Sequence, residues 1–496
     1  MNDIQKLEAI REASVAVEAT GLSDEVISQF LQTDPALASA IDSASKVSEV
    51  LREQYPELFT LPEKQLIQTL QSGILNFYRP VTVSPYVPLA AKGPWIITTG
   101  GAVIYDTGGY GMLGFGHDPD NLRQVLGESH VMANVMTPSF SQYRLVKKLK
   151  KMIGINRPEG CPFQQFIFMN SGSEAGTVAT RITDAHAKTM TDPGGKHGGK
   201  KVRYLGLEGS FHGRTMRMAR VSHSTLEKYR VLASFRKIEH LRTALPNDIE
   251  DLQKAFEQAD QDNVYIEAMF LEPVMGEGNP GMAITPEFYN AARELTRSHD
   301  TLLVVDSIQA GFRAHGVLSI MDYPGFEQSA APDMETFSKA VNGGQFPFSI
   351  LALRQSAADC YAPGSYGNTM TTNPRGLEIV STVLDSISST LVSNVEERGK
   401  ELVDKLRQLQ AEFPAIIINV QGTGLLLSAE LDHNIPVVGF DGVEMDMRRN
   451  GLNVIHGGAN ALRFTPHLAI TSAEVDLIVN CTRAALVNVA KVNKTN

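Results

Sequence analysis

The stretch DMETFSKAVNGG, residues 333–344, joins a short apolar run to a lysine and a glycine pair. The run METFS is typical of a buried strand, and Lys339 follows it where a strand of a parallel sheet would end. Taken alone, a lysine is more often a solvated surface residue than a reagent. The alternative is a partly desolvated amine that forms a Schiff base with a carbonyl group.

Five further apolar runs alternate with helical patterns between about residues 160 and 355: FQQFIFM, VRYLGLE, EAMFLEP, LLVVDS and FSILAL. This alternation predicts an α/β fold with a large, mostly parallel sheet. Ligands of such sheets bind beyond the carboxyl ends of the strands, so the polar residues that end these runs are candidate site residues. They are Asn170, Glu208, Glu272, Asp306 and Lys339.

The remaining segments predict three parts of the chain. Residues 1–78 carry apolar residues at spacings of three and four, which indicates a helical N-terminal extension. Residues 126–377 form the predicted large α/β domain. Residues 79–125 and 378–496 together predict a second, smaller α+β domain.

Composition argues against several classes of protein. A net charge of -10 gives no sign of a nucleic-acid partner, and apolar runs such as TLLVV are too short to span a bilayer. The cysteines Cys161, Cys360 and Cys481 are too dispersed for a disulfide framework or a four-thiolate metal site. We therefore expect a cytoplasmic protein with no metal site, no nucleic-acid partner and no membrane segment.

Three more motifs each allow a plain and a functional interpretation. In MNSGSEAGTVA, residues 169–179, Gly172 and Ser173 either cap a helix or form an anion site at its N-terminus. In LLVVDSIQAGF, residues 302–312, Asp306 pairs either with a structural cation or with a ligand nitrogen. The segment GSFHGRT, residues 209–215, contains Phe211 and Arg214. Either Phe211 is a core residue and Arg214 a surface charge, or both belong to a ligand site.

Pyridoxal phosphate needs all of these features at once. Its phosphate suits a helix N-terminus, its aldehyde a lysine, and its ring a stacking aromatic residue. Its pyridinium nitrogen needs a carboxylate, so that the ring can act as an electron sink. The combination predicts a pyridoxal-phosphate enzyme.

Eight segments in a fixed order, over roughly residues 80–480, extend this pattern. They are YDTGGYGMLGFGHDP, MNSGSEAGTVA, GSFHGRTM, FLEPVMGEG, VVDSIQAGF, PDMETFSKAVNGG, YGNTMTTNP and ALRFTPHL. With them the sequence resembles the class III (ω-) pyridoxal-phosphate-dependent aminotransferases, which have the fold type I, or aspartate aminotransferase-like, architecture. GSFHGRTM and FSKAVNGG are especially similar to 4-aminobutyrate and lysine 6-aminotransferases.

The resemblance implies a role for each matching residue. Lys339 would carry the Schiff base and move the reacting proton, and Asp306 would pair with the pyridine nitrogen. Arg214, Glu277 and Arg463 match positions for substrate carboxylates. The implied cofactor-binding set is Ser171, Gly172, Ser173, Phe211, His212, Glu272, Asp306, Gln309, Lys339 and, from a partner subunit, Thr369.

The implied function is transamination in a homodimer with active sites at the subunit interface. An amino group would pass from a primary amine, expected to be terminal, to a 2-oxo acid such as 2-oxoglutarate. Alternatives are an aminomutase, a decarboxylating transaminase, or a degenerate homologue that only binds or scaffolds. The sequence departs from the family at Ser307, where a glutamate usually follows the aspartate.

Overall fold

The computed structural model describes residues 1–237 and 239–495 of the chain. In this part the α-helices, α1 to α15, are Asp3–Glu12, Asp24–Leu31, Pro35–Gln54, Glu63–Gln71, Asp120–Gly127, Phe140–Met152, Gly172–Thr191, Met216–Ala219, Ile249–Gln261, Pro286–Ser298, Gln355–Ala358, Pro374–Ser386, Ser389–Glu412, Val443–Arg449 and Ser472–Thr495. None of these helices is long and apolar enough to cross a membrane.

The strands described, β1 to β15, are Pro88–Lys92, Trp95–Thr98, Val103–Asp106, Gln165–Met169, Lys201–Leu207, Leu241–Ala244, Val264–Leu271, Leu302–Asp306, Met334–Phe337, Ser349–Leu353, Ile417–Thr423, Leu426–Leu431, Leu452–Asn453, Ile455–Gly457 and Ala461–Phe464. Short 3-10 turns lie at Leu58–Thr60, Pro80–Thr82, Gly109–Gly111, His223–Val231, Ala233–Phe235, Ile320–Asp322 and Lys339–Asn342.

The chain divides into two compact units. The first unit contains residues 1–123, 397–421 and 427–496, and the second contains residues 124–396 and 422–426. The division into residues 1–78, 79–125 with 378–496, and 126–377 stays a prediction about domain boundaries.

The second unit is built on a seven-stranded sheet in the order β4-β10-β9-β8-β7-β5-β6. Strand β10 is antiparallel to β4 and β9, whereas β9, β8, β7, β5 and β6 are mutually parallel. Every residue of β7, β8, β9 and β10 is buried, as expected for strands that are covered on both faces. The predicted α/β fold with a large, mostly parallel sheet is confirmed.

All six apolar runs predicted from the sequence are strands of this sheet, and β6 is the strand that the prediction missed. It has only four residues, and its first three are half-buried. So short a segment carries no apolar run that separates it from a loop.

The first unit contains two four-stranded sheets, β1-β2-β3-β13 and β11-β12-β15-β14. The N-terminal helices pack on the first of these sheets. The Trp95 indole of β2 donates a hydrogen bond to the Asp34 carboxylate at the start of α3, at 2.6 Å, and its ring meets the ring of Phe30 edge-on. The helices of the N-terminal extension are thereby anchored by core contacts of this unit.

Candidate active site

The candidate site lies at one edge of the seven-stranded sheet. Strands β7, β8 and β9 are parallel, and β4 runs in the same direction because both β4 and β9 are antiparallel to β10. Their carboxyl ends therefore meet at a common edge. The polar residues at or just beyond these ends are Ser171, Glu272, Asp306 and Lys339.

Asp306 is a buried carboxylate held by three hydrogen bonds. His212 Nδ1 lies 2.9 Å from Oδ2, the Ile308 N–H donates to Oδ1 at 3.1 Å, and the Thr336 hydroxyl donates to Oδ1 at 3.2 Å. The Asp306 side chain is only 7% exposed. These contacts fix the orientation of the carboxylate, and they keep it ready to accept from a cationic partner.

His212 is fixed in turn from its backbone. Its N–H donates to the Ser222 hydroxyl at 2.9 Å, and the ring is fully buried. Its Nε2 has no hydrogen-bond partner in the described part of the chain, so we assign the ring proton to Nδ1, which then donates to Asp306. The sequence predicted His212 in the site, but it did not predict Thr336. The only signal for Thr336 in the sequence is the alternation of side chains along METFS, which turns Thr336 and Glu335 to opposite faces of the sheet.

Glu272 organises the loops beside Asp306. Its carboxylate accepts the N–H groups of Phe211 at 2.9 Å and of Gly276 at 3.0 Å. Burial raises the pKa of Glu272 to about 7, and the Asp306 charge acts in the same direction, while His212 opposes both. A Cβ added at Gly276 would lie 2.1 Å from Cδ of Gln309. Gln309, which the resemblance places near the ring hydroxyl of the cofactor, therefore packs directly against the backbone at Gly276.

The N-terminus of α7 follows β4 at the same edge. The Ser171 hydroxyl caps it by accepting the Glu174 N–H at 3.3 Å, and the Ser349 hydroxyl holds the Ser171 carbonyl at 2.7 Å. The plain interpretation, a serine cap with Glu174 in the first turn, is therefore present. The cap leaves the first-turn N–H groups of Gly172 and Ser173 directed out of the helix, where an anion binds.

Ser173 connects this helix to the GSFHGRT segment. The Arg214 N–H donates to the Ser173 hydroxyl at 3.2 Å. Gly213 has φ +124, and a Cβ there would fall 2.2 Å from Ser173 Oγ. Only glycine therefore lets the two segments approach this closely.

Arg214 lies beside two other predicted site residues. Its guanidinium lies 5.4 Å from the centre of the Phe211 ring, and its Nη2 lies 3.3 Å from Glu277 Oε1. The Arg214 side chain is 38% exposed. It is thus open to an incoming carboxylate that competes with Glu277.

Lys339 begins the 3-10 turn after β9, with φ +54, and is half-buried. Two side chains hold this turn, since Ser338 Oγ and Asn342 Nδ2 both donate to the Phe348 carbonyl at 2.8 Å. A lysine backbone in the left-handed region is uncommon, and such strain concentrates at functional sites.

Three further candidate residues lie on other elements of the structure. Thr369 is exposed in the turn before α12. Arg463 belongs to the first unit, on β15, where it is 1% exposed. Glu208, a strand-end candidate, lies in a turn after β5, and its N–H donates to the Ala244 carbonyl.

Ser307, where the family usually has a glutamate, contacts a glutamate of the neighbouring strand β9. The hydroxyls of Ser307 and Ser319 each donate to the Glu335 carboxylate at 2.6 Å, and the Ile320 N–H adds a bond of 3.0 Å. Glu335 is fully buried, and burial raises its pKa to about 7. A carboxylate is therefore present beside Ser307, supplied by β9, and it ties together both ends of the loop that carries Gln309.

Comparison with known proteins identifies relatives over most of the chain. Residues 78–486 match the model of the family Aminotransferase class-III. An acetylornithine aminotransferase from Bifidobacterium longum is 31% identical over 373 residues, which are 73% of this chain and 82% of the relative. One from Xanthomonas campestris pv. campestris is 30% identical over 377 residues, which are 74% and 84% of the two chains.

Solved structures show the same fold. An ornithine aminotransferase from Toxoplasma gondii, solved with partial occupancy of PLP at its active site, has a TM-score of 0.74 at 23% identity and covers 89% of this chain and 99% of its own. An N-acetylornithine aminotransferase from Stenotrophomonas maltophilia has a TM-score of 0.65 at 25% identity and covers 86% and 100% of the two chains.

The donor set at the sheet edge fits pyridoxal phosphate. Asp306 offers a buried, oriented carboxylate to a pyridinium nitrogen, and Lys339 offers a primary amine to an aldehyde. The first turn of α7 offers N–H groups and the Ser173 hydroxyl to a phosphate. Each functional group of the cofactor thus finds a chemically matched partner at this edge.

Proposed function

Since the chain belongs to the class-III aminotransferases, and so transfers amino groups with pyridoxal phosphate as cofactor, we propose that its donor is an ornithine-like terminal amine. The acceptor is a 2-oxo acid, and 2-oxoglutarate is the acceptor that we propose. The relatives named acetylornithine and ornithine aminotransferases support this donor class. The cofactor, when bound, supplies an electron sink for the carbon next to the nitrogen. All other steps fall to the chain's own residues.

The observation that supports pyridoxal-phosphate chemistry at this site is the oriented carboxylate of Asp306. A carboxylate with two side-chain partners and one backbone N–H stays in one position as a ring nitrogen gains and shares its proton. His212 and Thr336 act as positioning residues because they contact Asp306 rather than the ring. Asp306 would thereby keep the pyridine nitrogen of a bound cofactor protonated.

Lys339 has two tasks in the proposal. Its amine would hold the cofactor covalently through the aldehyde, and once released it would accept and return the proton of the substrate carbon. The turn that begins at Lys339 is fixed by Ser338 and Asn342, so the amine returns to the same place after each half-reaction.

The remaining residues bind and orient. Ser171, Gly172 and Ser173 hold the phosphate, Phe211 stacks on the ring, and Gln309 contacts the ring hydroxyl. Glu272 fixes the backbone of Phe211 and of the segment under Gln309. Arg214, Glu277 and Arg463 bind or exchange the carboxylates of the two substrates, and the Arg214–Glu277 contact is the ion pair that a substrate carboxylate opens.

The proposed assembly is a homodimer in which Thr369 reaches the phosphate of the partner's site. Thr369 and its neighbour Met370 are exposed, and Met370 is 63% exposed. Apolar side chains of the same unit are exposed as well, with Val131 at 83% and Phe140 at 82%. These exposed apolar side chains are consistent with a surface that another chain covers, and they support the proposed dimer to that extent. A catalytically competent monomer, seen by sedimentation under assay conditions, would rule the dimer out.

The cytoplasmic location stays part of the proposal. It depends on the dispersed cysteines Cys161, Cys360 and Cys481, all of which are free thiols in the structure. Cell fractionation with an antibody to the chain would test it.

The decisive assay offers the holoenzyme N-acetylornithine, ornithine, lysine and 4-aminobutyrate separately, each with 2-oxoglutarate, and follows glutamate and carbon dioxide. We expect stoichiometric glutamate without carbon dioxide, fastest with an ornithine-like donor. Glutamate from none of the terminal amines would refute the donor class, and carbon dioxide release would favour a decarboxylating transaminase. Asp306→Asn is the matched control, because it keeps the shape of the side chain and removes its charge.

A further inference from the structure

A cavity lies beside the amino ends of the parallel strands, at the opposite end of these strands from the candidate active site. Its volume is about 560 Å³, and Arg157, Gln164, Arg297, Arg354, Gln355 and Ser356 line it. Arg354 follows Leu353, which pairs with Met334 at the start of β9, whereas Lys339 lies beyond the other end of β9. The four-residue strand β9, ~13 Å long at ~3.3 Å per residue, therefore separates this cavity from the candidate active site.

The arginines at this cavity outnumber their acidic partners. The buried Arg293, next to the cavity, binds the Asp333 carboxylate in a fork at 2.7 and 2.9 Å. Arg157 binds Glu159 at 2.6 and 2.8 Å.

The other two arginines of the cavity, Arg297 and Arg354, have no partner among the residues that the structure describes in direct contact with their guanidinium groups. Within residues 1–237 and 239–495, neither Arg297 nor Arg354 forms an ion pair or a side-chain hydrogen bond. The chain as a whole is acidic, with a net charge of -10. Two guanidinium groups that line one cavity without an ion-pair partner in the described part of the chain are therefore a local exception.

The arginines also repel one another. Burial lowers the pKa of Arg297, and the charges of Arg293 and Arg354 lower it further, while Asp333 opposes them. A bound anion would relieve this repulsion and would satisfy the planar donors of both guanidinium groups.

We propose that this cavity binds the oxyanion of a small metabolite, a carboxylate or a phosphate group, through Arg297 and Arg354. The half-buried Arg354 supplies one guanidinium fork from the end of β10, and the exposed Arg297 at the mouth of the cavity supplies the other from the last turn of α10. The Ser356 hydroxyl completes the donor set. The site lies apart from the residues proposed for transamination and does not depend on their roles.

The test titrates the holoenzyme with inorganic phosphate and, separately, with glutarate, by calorimetry at about 20 mM ionic strength, where screening is weak. The variants are Arg297→Gln, Arg354→Gln and the double variant. Arg407→Gln, an exposed arginine on α13, makes the same charge change elsewhere and is the matched control. Each single variant should bind the anion about tenfold more weakly, as for loss of one charge-assisted contact. The double variant should lose this binding, and the control should keep it.

The two probes separate the sources of the oxyanion. Loss of the phosphate isotherm alone in the double variant identifies a phosphate-bearing ligand, and loss of a glutarate component alone identifies a carboxylate. Transaminase activity should be equal in all four variants, which shows that they are folded. Two results would overturn the proposal. One is that both probes give the same isotherms with the wild type and the double variant. The other is that the wild type binds neither probe at concentrations up to about 10 mM.

Discussion

The contact between Gly213 and Ser173 makes a sharp test of the proposed phosphate site. In Gly213→Ala the new Cβ would lie 2.2 Å from Ser173 Oγ and 3.0 Å from Ser173 Cβ, on a backbone with φ +124. An L-residue at such a φ costs roughly 1–3 kcal/mol by itself. Rotation of the Ser173 hydroxyl would leave the contacts of 3.0 Å with Ser173 Cβ and 3.2 Å with its Cα, so we expect the Gly213 segment and the first turn of α7 to move apart and to disturb the N–H groups proposed for the phosphate. We expect cofactor affinity to fall about 10- to 100-fold, the equivalent of ~1.4–2.7 kcal/mol.

The assay is equilibrium titration of the apoprotein with pyridoxal phosphate, followed by visible absorption. The matched control is Gly194→Ala, since Gly194 has φ +91 and a Cβ added there would meet no other atom within 4 Å. It carries backbone strain without the Ser173 contact, and it should bind the cofactor as wild type does.

A second substitution isolates the contact itself. Ser173→Gly removes both of the nearest atoms, so Gly213→Ala should cost less affinity in that background than in wild type. Wild-type affinity in Gly213→Ala, or equal costs in the two backgrounds, would refute the reasoning.

Three other predictions concern single side chains. Lys339→Ala should abolish the absorption of the Schiff base while the protein still folds; cofactor that borohydride can still trap on the variant would contradict the assignment. Asp306→Asn should lower turnover about a thousandfold, roughly 4 kcal/mol in barrier, because the ring nitrogen loses its anionic partner; a loss within about tenfold would show that the pairing is wrong. Burial raises the pKa of Glu335 from 4.5 to about 7, so the native state binds this proton more tightly than the unfolded chain does, and stability falls as pH rises through that window. Between about pH 5 and 8, Glu335→Gln should reduce the change in the free energy of unfolding by up to about 3 kcal/mol, which unfolding temperatures across this pH range would detect. Identical plots of unfolding temperature against pH for the two proteins would exclude the effect.

The sequence pattern predicted six of the seven strands of the large sheet and the edge at which the candidate site lies. Continuous apolar runs such as LLVVDS are strands because both faces of a parallel sheet are covered. Since the carboxyl ends of parallel strands share an edge, polar residues that close such runs, among them Asp306 and Lys339, are brought to one place without any knowledge of strand order. This part of the site is local information, present in each strand and the residue after it.

Which side chains meet at this edge depends on the packing of the whole sheet. Thr336 and His212 hold Asp306 from positions 30 and 94 residues away in the chain. The carboxylate beside Ser307 comes from Glu335 on the next strand, and Arg297 and Arg354 line one cavity from α10 and β10. A propensity or a periodicity describes neighbours in sequence, whereas these contacts depend on the order and register of strands, which are set by packing across the whole sheet.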